Sequence, residues 1–510
     1  MNVKVAAALR DGVVGYFILS GLCKLVPVAF PDVLPLDSDE AVLGLMARHL
    51  SEGEFPLFSY GQTYGGGFEL LLAGALAWLV PNTIVALRLA AATLALAAEY
   101  LVYRALAPAI PSRTTRLAAS AMLAVGGMTY ARAMSHLHGV HLNSVFLFAS
   151  LLFWLSRPAA RPRGTFLPGL WIGIGYWVSP FVWLLVGCML LAALRWWREL
   201  LRPSLLQTLW LVVGFALGAL PRVVYAYAPD RWYAPYRAGG FALVRTAKIP
   251  RRASELLLHT LPDYFFGQVR ALGTAGAVVA AAGAIVALVL LSVMTARIWR
   301  GWRQGRQEVC VSLSVLLLAC ASMVLVILNR RVFDSGHRYL WPVPFALAVA
   351  WAFAVEHGGR PAKAGGAAWL RGLKTAVVSI PFVLGAISLS LVQRQDSRVP
   401  GTALKRAIAA QAMAEGCRVG IADYWYAYSL SLLTQEKLRL APIYTPRILS
   451  YAYAAEEAMM AGKRTCAVFD LSDQAQATQP NRLLYAQLRP NAVQTHRYPG
   501  EVVLLVMGTE

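Results

Sequence analysis

The chain has 510 residues, 58% hydrophobic and only 14% charged, against about 25% charged in a soluble globular chain, which excludes an ordinary soluble fold. Its 47 basic and 26 acidic residues leave a net charge of +21. Much of that excess sits in short loops between apolar runs, where the positive-inside rule and anionic lipid account for it, so nucleic acid is not expected as a partner.

In chain order, Lys4 and Arg10 precede an apolar stretch that resembles a signal sequence. No small-residue cleavage site follows, so residues 12–30 are expected to be an uncleaved first span with a cytoplasmic N-terminus. That span delivers residues 31–67 to the outside. The next apolar run, 68–80, is short for a span and is expected to be a juxtamembrane or re-entrant helix. Were it a full span, the basic loops 108–116 and 157–163 would lie outside, against the positive-inside rule. Continuous apolar runs then predict helical spans at 83–106, 117–134, 142–155, 165–179, 180–196, 205–227, 271–298, 310–328, 339–355 and 374–391, about eleven in all with the first.

From Gln393 the composition becomes that of a soluble domain. Residues 402–415 have helical periodicity, and 417–422, 438–441, 465–471 and 501–507 read as short strands. The expected fold class is thus an α-helical polytopic protein of the plasma (inner) membrane. Residues 1–392 form its transmembrane module, with a first external loop at 31–82, and 393–510 form an extracytoplasmic α/β domain. Cys417 and Cys466 begin two of the predicted strands, where an oxidising compartment favours a disulfide; two buried thiols are the alternative. Cys23, Cys188, Cys310 and Cys320 lie in spans and read as packing residues.

The acids are unevenly spread. Asp32, Asp37, Asp39, Glu40, Glu52, Glu54 and Glu69 crowd into 31–70, whereas residues 71–392 hold only Glu99, Glu199, Asp230, Glu255, Asp263, Glu308, Asp334 and Glu356. Carboxylates near a bilayer are costly without partners or function, so the first external loop is the candidate active site. Asp37 with Glu40 has the spacing of a capping box, which explains both acids structurally. It leaves Asp39 unexplained, and also the continuation through Tyr60, Gln62 and Tyr64 into Gly65–Gly67, where glycines permit close approach of backbone to a ligand.

The acidic pair Asp39–Glu40 after the first span, followed by a helix and the stretch YGQTYGGGFE, resembles the first loop of the GT-C superfamily of membrane glycosyltransferases, in its protein O-mannosyltransferase-like and aminoarabinose-transferase-like branch. Arg88–Leu89, WVSP at 177–180, HRYLWP at 337–342 and ADYWYAYSLSLLTQEK at 422–437 are weaker echoes of the same plan. The resemblance implies transfer of a sugar from a polyprenyl-phosphate donor to an acceptor on the extracytoplasmic face, the acceptor being a protein, glycolipid or wall polysaccharide. It places the catalytic acid at Asp39 with Glu40 beside it, and a second acid at Glu69. The chain departs from that family at the outer end of the third span, where SHLHGVHLN replaces an expected Asp, and at YGGGFE, where relatives carry a Lys/His-Pro-Pro stretch.

Such a transfer needs a base for the acceptor proton, for which Asp39 is the candidate with Asp37, Glu40 and Glu69 nearby. It also needs positive charge for the departing phosphate. Arg88, Arg132, Arg331 and Arg338 fall near outer ends of spans, where guanidinium suits phosphate or simply snorkels to headgroups. His138, His141 and Asn143 could bind a divalent metal or the acceptor, or could be interfacial groups bonded to backbone or water. Trp177, His337 and Tyr339 join Tyr60, Gln62 and Tyr64 as candidate substrate contacts, with an aromatic belt as the alternative for Trp177. No cofactor is required, and a divalent metal is possible. A lipid or polysaccharide flippase is the rival reading; it predicts ionisable residues at mid-span and matching halves, whereas the mid-span segments contain almost no acids and no repeat is evident.

Overall fold

The structure is a computed structural model. It describes residues 12–30, 34–61, 65–125, 140–156, 162–179, 181–194, 204–227, 246–261, 278, 289, 291–305, 309–329, 340–357, 401–444, 446–472 and 478–508.

The apolar half is helical. In order come α1 (Gly12–Ala29), α2 (Ser38–Ser51), α3 (Phe68–Leu79), α4 (Thr83–Ala105), α5 (Arg113–Val125), α6 (Val140–Leu155), α7 (Phe166–Val178), α8 (Phe181–Ala193), α9 (Leu205–Tyr227), the short α10 (Ile249–Glu255), α11 (Val309–Leu328) and α12 (Pro342–His357). Four described helices, α1, α4, α9 and α11, are long and apolar enough to cross a membrane, and α3, α6, α7, α8 and α12 contain shorter apolar stretches. The expected short helix after the first loop is present as the 12-residue α3. The expected span at 374–391 lies outside the described residues, as does most of 271–290.

Helix α4 runs through the middle of this half. Asn82 caps it, its side chain accepting from Ile84 N at 3.1 Å and Val85 N at 3.3 Å, and α1, α2, α3, α5 and α6 pack around it. Its one acid, Glu99, is buried and satisfied by α1: Lys24 Nζ lies 2.5 Å away, Ser20 Oγ donates at 2.7 Å and Tyr16 Oη at 3.2 Å. An ionisable group inside an apolar helix bundle needs such partners. The outer faces of α1 and α9 expose Leu19, Leu22, Leu205 and Leu209, a surface suited to lipid.

Helices α7 and α9 meet through glycines. A Cβ on Gly169 would stand 2.1 Å from Leu211 O, and one on Gly218 would stand 2.3 Å from Leu170 O. Gly169 and Gly173 on one helix, with Gly214 and Gly218 on the other, are the small-xxx-small spacing that lets helix backbones touch.

Residues 401–508 form a five-stranded mixed sheet, ordered β2-β1-β3-β5-β4. The strands are β1 (Val419–Ala422), β2 (Arg439–Pro442), β3 (Thr465–Asp470), β4 (Ala492–Tyr498) and β5 (Val502–Met507), accompanied by α13 (Thr402–Ala414), α14 (Tyr424–Leu433), α15 (Leu449–Met460) and α16 (Thr478–Leu488). β1 is parallel to β2 and β3, and β5 is antiparallel to β3 and β4. The interior strand β5, Val-Val-Leu-Leu-Val-Met, is buried throughout, while the edge strand β4 alternates, as a strand covered on one face should. Cys417 and Cys466 form a disulfide. Next to it a Cβ on Gly420 would stand 2.0 Å from Cys466 O.

This unit sits directly on the first loop. Leu36, Val42, Leu45 and Met46 share one apolar core with Tyr428, Leu432, Ile448 and Tyr451. Helix α14 lies along α2 so closely that a Cβ on Gly44 would come 2.5 Å from Leu432 Cδ2.

Candidate active site

The first turn of α2 carries three acids in three different environments. Asp37 is the N-cap: its Oδ1 accepts from Glu40 N at 2.8 Å, and the residue is buried. Glu40 points inward. Its Oε1 lies 3.2 Å from Arg88 Nε and its Oε2 3.3 Å from Arg88 Nη2, with both side chains buried. Arg88 also donates to Pro27 O at 3.1 Å and Leu34 O at 2.8 Å. Arg88, expected at a donor phosphate, is therefore engaged in tying α4 to the end of α1 and the strand of chain entering α2.

Asp39 points outward. Its Oδ1 receives Tyr424 Oη at 2.6 Å and Arg447 Nη2 at 2.7 Å, both from the C-terminal unit, and 19% of its side chain stays exposed. Burial and then the Asp39 charge push the Tyr424 phenol well above its ordinary value, against the opposing pull of Arg447, so it remains a donor. Ser38 Oγ, one residue earlier, hydrogen-bonds Tyr424 O.

Behind this turn lies Lys405 of α13, almost wholly buried. Its Nζ donates to Leu36 O at 2.6 Å and Ser429 Oγ at 3.1 Å. Burial lowers its pKa to about 8, with the charges of Asp37, Glu40 and Asp423 pulling the other way.

At the far end of α2, His49 Nδ1 is 2.5 Å from Tyr60 Oη and its Nε2 is 3.1 Å from both oxygens of Glu436. Tyr451 Oη donates to Glu436 at 2.5 Å. His49, Glu52 and Glu436 bring ligand atoms within 4.8 Å of one another, the one such group among the described residues. The donor set fits a metal poorly. Arg48 already supplies a cation, 2.8 Å from Glu52 and 3.5 Å from Glu436, and both His49 nitrogens are engaged.

The glycine stretch builds framework. Phe58 bridges Gly66, and Gly66 N donates to Val178 O at 3.1 Å. A Cβ on Gly66 would strike Trp177, whose Nε1 donates to Leu57 O at 2.8 Å. Trp177 is thus a buried strut of the first loop. Glu69, in the first turn of α3, is wholly buried, and neither oxygen has a hydrogen-bond partner among the described residues. Asn143 is buried within α6; His141 lies on the same helix, its side chain undescribed. Gln62, Tyr64, Arg132, His138, Arg331, His337, Arg338 and Tyr339 lie outside the described residues.

Sequence reasoning missed Tyr424, Arg447, Lys405 and Glu436. Tyr424 and Glu436 fall in the aromatic stretch 422–437, the one signal that could have pointed to them. Arg447 and Lys405 are ordinary cations of a polar segment, with nothing in their local pattern to set them apart.

No protein-family model matches this sequence, and no curated protein matches it. Solved structures do. The crystal structure of ArnT from Cupriavidus metallidurans bound to undecaprenyl phosphate superposes with a TM-score of 0.62 at 13% identity, covering 98% of this chain and 99% of that one. Its apo form gives 0.61. The apo oligosaccharyltransferase of Archaeoglobus fulgidus gives 0.53 at 11% identity, covering 90% of this chain and 69% of that one. At such identities the likeness is one of fold. The chain shares that fold over 90% or more of its length with both proteins.

Proposed function

We propose that the chain is an inverting glycosyltransferase that moves a sugar from a polyprenyl-phosphate donor to an acceptor on the extracytoplasmic face of the plasma membrane. The supporting observation is the position of Asp39. Of the three acids opening α2, it alone keeps a partly exposed side chain at the seam between the helical module and the C-terminal unit, while Asp37 and Glu40 are buried in capping and ion pairing. The fold shared end to end with a protein crystallised with undecaprenyl phosphate supports the donor class.

In this reading the Asp39 carboxylate takes the proton from the acceptor hydroxyl. The acceptor oxygen attacks the anomeric carbon, and the bond from that carbon to the phosphate oxygen breaks, its electron pair leaving on the polyprenyl phosphate. One base and one direct displacement invert the anomeric configuration, by analogy with glycoside chemistry. Arg132, Arg331 and Arg338 are proposed to neutralise the departing phosphate, through the bidentate geometry arginine offers. Glu69, buried in the same loop, is proposed as the second acid. Arg88, Asp37 and Glu40 are assigned to holding the loop.

Asp39→Asn, reconstituted in proteoliposomes with synthetic undecaprenyl-phosphate pentoses and hexoses, is expected to release no undecaprenyl phosphate above background while binding undecaprenyl phosphate as the wild type does. Near-normal turnover by that variant would remove the base assignment.

A further inference from the structure

We propose that Arg447 and Tyr424, supplied by the C-terminal unit, are the positioning residues of Asp39, so that the reactive site of the helical module is complete only with that unit docked. This inference rests on the proposed role of Asp39.

Two donors of different chemistry converge on one oxygen. Arg447 Nη2 and Tyr424 Oη reach Asp39 Oδ1 at 2.7 and 2.6 Å, distances of strong, charge-assisted hydrogen bonds. A carboxylate held at one oxygen by two donors has its plane and rotamer fixed, which is what orienting a base toward an acceptor hydroxyl requires.

The donors are themselves fixed. Arg447 N donates to Tyr428 Oη at 2.6 Å, and Ile448 N donates to the same oxygen at 3.3 Å. The Arg447 guanidinium carbon lies 5.4 Å from the centre of the Tyr424 ring. From the other side, Gly61 of the first loop abuts Arg447: a Cβ there would stand 2.9 Å from Arg447 Cγ and 3.1 Å from its Cα, and the backbone at Gly61 has φ +72. Glycine is the residue that accepts both constraints. Tyr424 stands at the start of α14, where Asp423 caps Trp425 N at 3.0 Å. Its carbonyl is bonded by Ser38, the neighbour of Asp39. The two chain segments that carry the acid and its phenol partner are therefore stitched together at consecutive residues.

A pair serving stability alone looks different in this molecule. Glu40–Arg88 has 0% and 1% of its side chains exposed, whereas Asp39–Arg447 keeps 19% and 22%. The second pair is the accessible one, lying along the seam where a substrate can approach.

The test uses the full-length protein in proteoliposomes, with Arg447→Ala, Arg447→Lys and Tyr424→Phe against wild type. The first arm needs no substrate: carbodiimide-driven coupling of glycinamide to Asp39, located by peptide mass spectrometry. Coupling at Asp39 is expected to change several-fold in Arg447→Ala and to return toward wild type in Arg447→Lys. The second arm measures release of undecaprenyl phosphate from the synthetic pentose and hexose donors. Misplacing a catalytic group by about 1 Å costs on the order of 10²-fold. Arg447→Ala is accordingly expected to lower kcat by about that factor with donor KM nearly unchanged, Arg447→Lys to recover part of it, and Tyr424→Phe to fall between. Unchanged labelling of Asp39 in both Arg447→Ala and Tyr424→Phe overturns the inference. So does a raised donor KM with kcat retained, which would put Arg447 on the lipid phosphate. If Asp39→Asn is inactive while Arg447→Ala keeps its kcat, only the positioning role fails; if Asp39→Asn stays active, the base assignment itself has failed.

Discussion

Glu40 and Arg88 face one another across a buried gap of 3.2 Å between α2 and α4. Two charges removed from water cost several kcal/mol each unless they are matched and their remaining donors are satisfied. Here the spare donors of Arg88 go to Pro27 O and Leu34 O, so one guanidinium fixes α1, the entry to α2, and α4. Glu40→Gln and Arg88→Met are each expected to cost about 3–5 kcal/mol, the penalty for orphaning a buried charge, and to lower the thermal midpoint in detergent sharply. Arg88→Met that unfolded normally but lost affinity for undecaprenyl phosphate would return Arg88 to the donor site.

Gly44 marks where the C-terminal unit presses on the first loop. A methyl group there would meet Leu432 Cδ2 at 2.5 Å and Leu87 Cδ1 at 3.0 Å, and overpacking of this kind costs about 1–3 kcal/mol. Gly44→Ala should therefore lower the unfolding midpoint and hasten proteolysis between the two units. Leu432→Ala in the same chain should recover part of the loss by giving the methyl room. Failure of the second change to help would mean that α14 does not lie against α2 as described.

The helical half was legible because its signal is local. An apolar run of span length states its own helix, and α4, α9 and α11 fall within a residue of the expected limits. The short 12-residue α3 was likewise readable from the apolar run 68–80. In the C-terminal unit, α13, β1, β2, β3 and β5 were visible, but the edge strand β4 and the helices α14, α15 and α16 were not predicted. Tyr424–Leu433 is rich in aromatic and apolar residues all round because it is covered by both β2 and α2, and such burial erases the period that marks a surface helix. At the site, the sequence singled out the three acids but could not separate them. Spacing showed that Asp37 suits a cap, yet only packing shows that Glu40 faces Arg88 while Asp39 faces outward. The partners of Asp39 are separated from it by 385 and 408 positions, a pairing that no local pattern carries.

The disulfide between Cys417 and Cys466, the latter in β3, closes a sequence separation of 49 residues. Restricting an unfolded loop of that length is worth about 4 kcal/mol on the chain-entropy model. Cys417→Ala with Cys466→Ala is expected to depress the stability of residues 401–508 by an amount of that order, seen as a lower denaturant midpoint for exchange-protected amides in β1, β3 and β5. Because both cysteines are buried, reductant alone should act slowly under native conditions and fully only once the sheet opens. Equal protection in the double variant and the wild type would show that the crosslink adds nothing to this core.

His49 and Glu436 form the second clasp between the first loop and the C-terminal unit, and they make it sensitive to pH. Burial pulls the His49 imidazole down, but its hydrogen bond with Glu436 and the charges of Glu436, Glu54 and Glu52 outweigh this, leaving it above its ordinary 6.5. Burial alone would raise Glu436, yet His49, Tyr451 and Arg48 draw it from 4.5 to about 2. A base held above its unfolded value lends stability that is whole below 6.5 and fades as pH rises through the folded value. An acid held below its unfolded value lends stability that is whole above 4.5 and fades toward 2. The clasp is thus strongest between about 4.5 and 6.5 and loosens on the alkaline side first. Limited proteolysis of the seam, followed from pH 6 to pH 9, should accelerate in the wild type across the His49 titration. His49→Gln should cleave faster at pH 6 and change little with pH. Parallel pH profiles for the two proteins would mean that the histidine carries no charge at this contact.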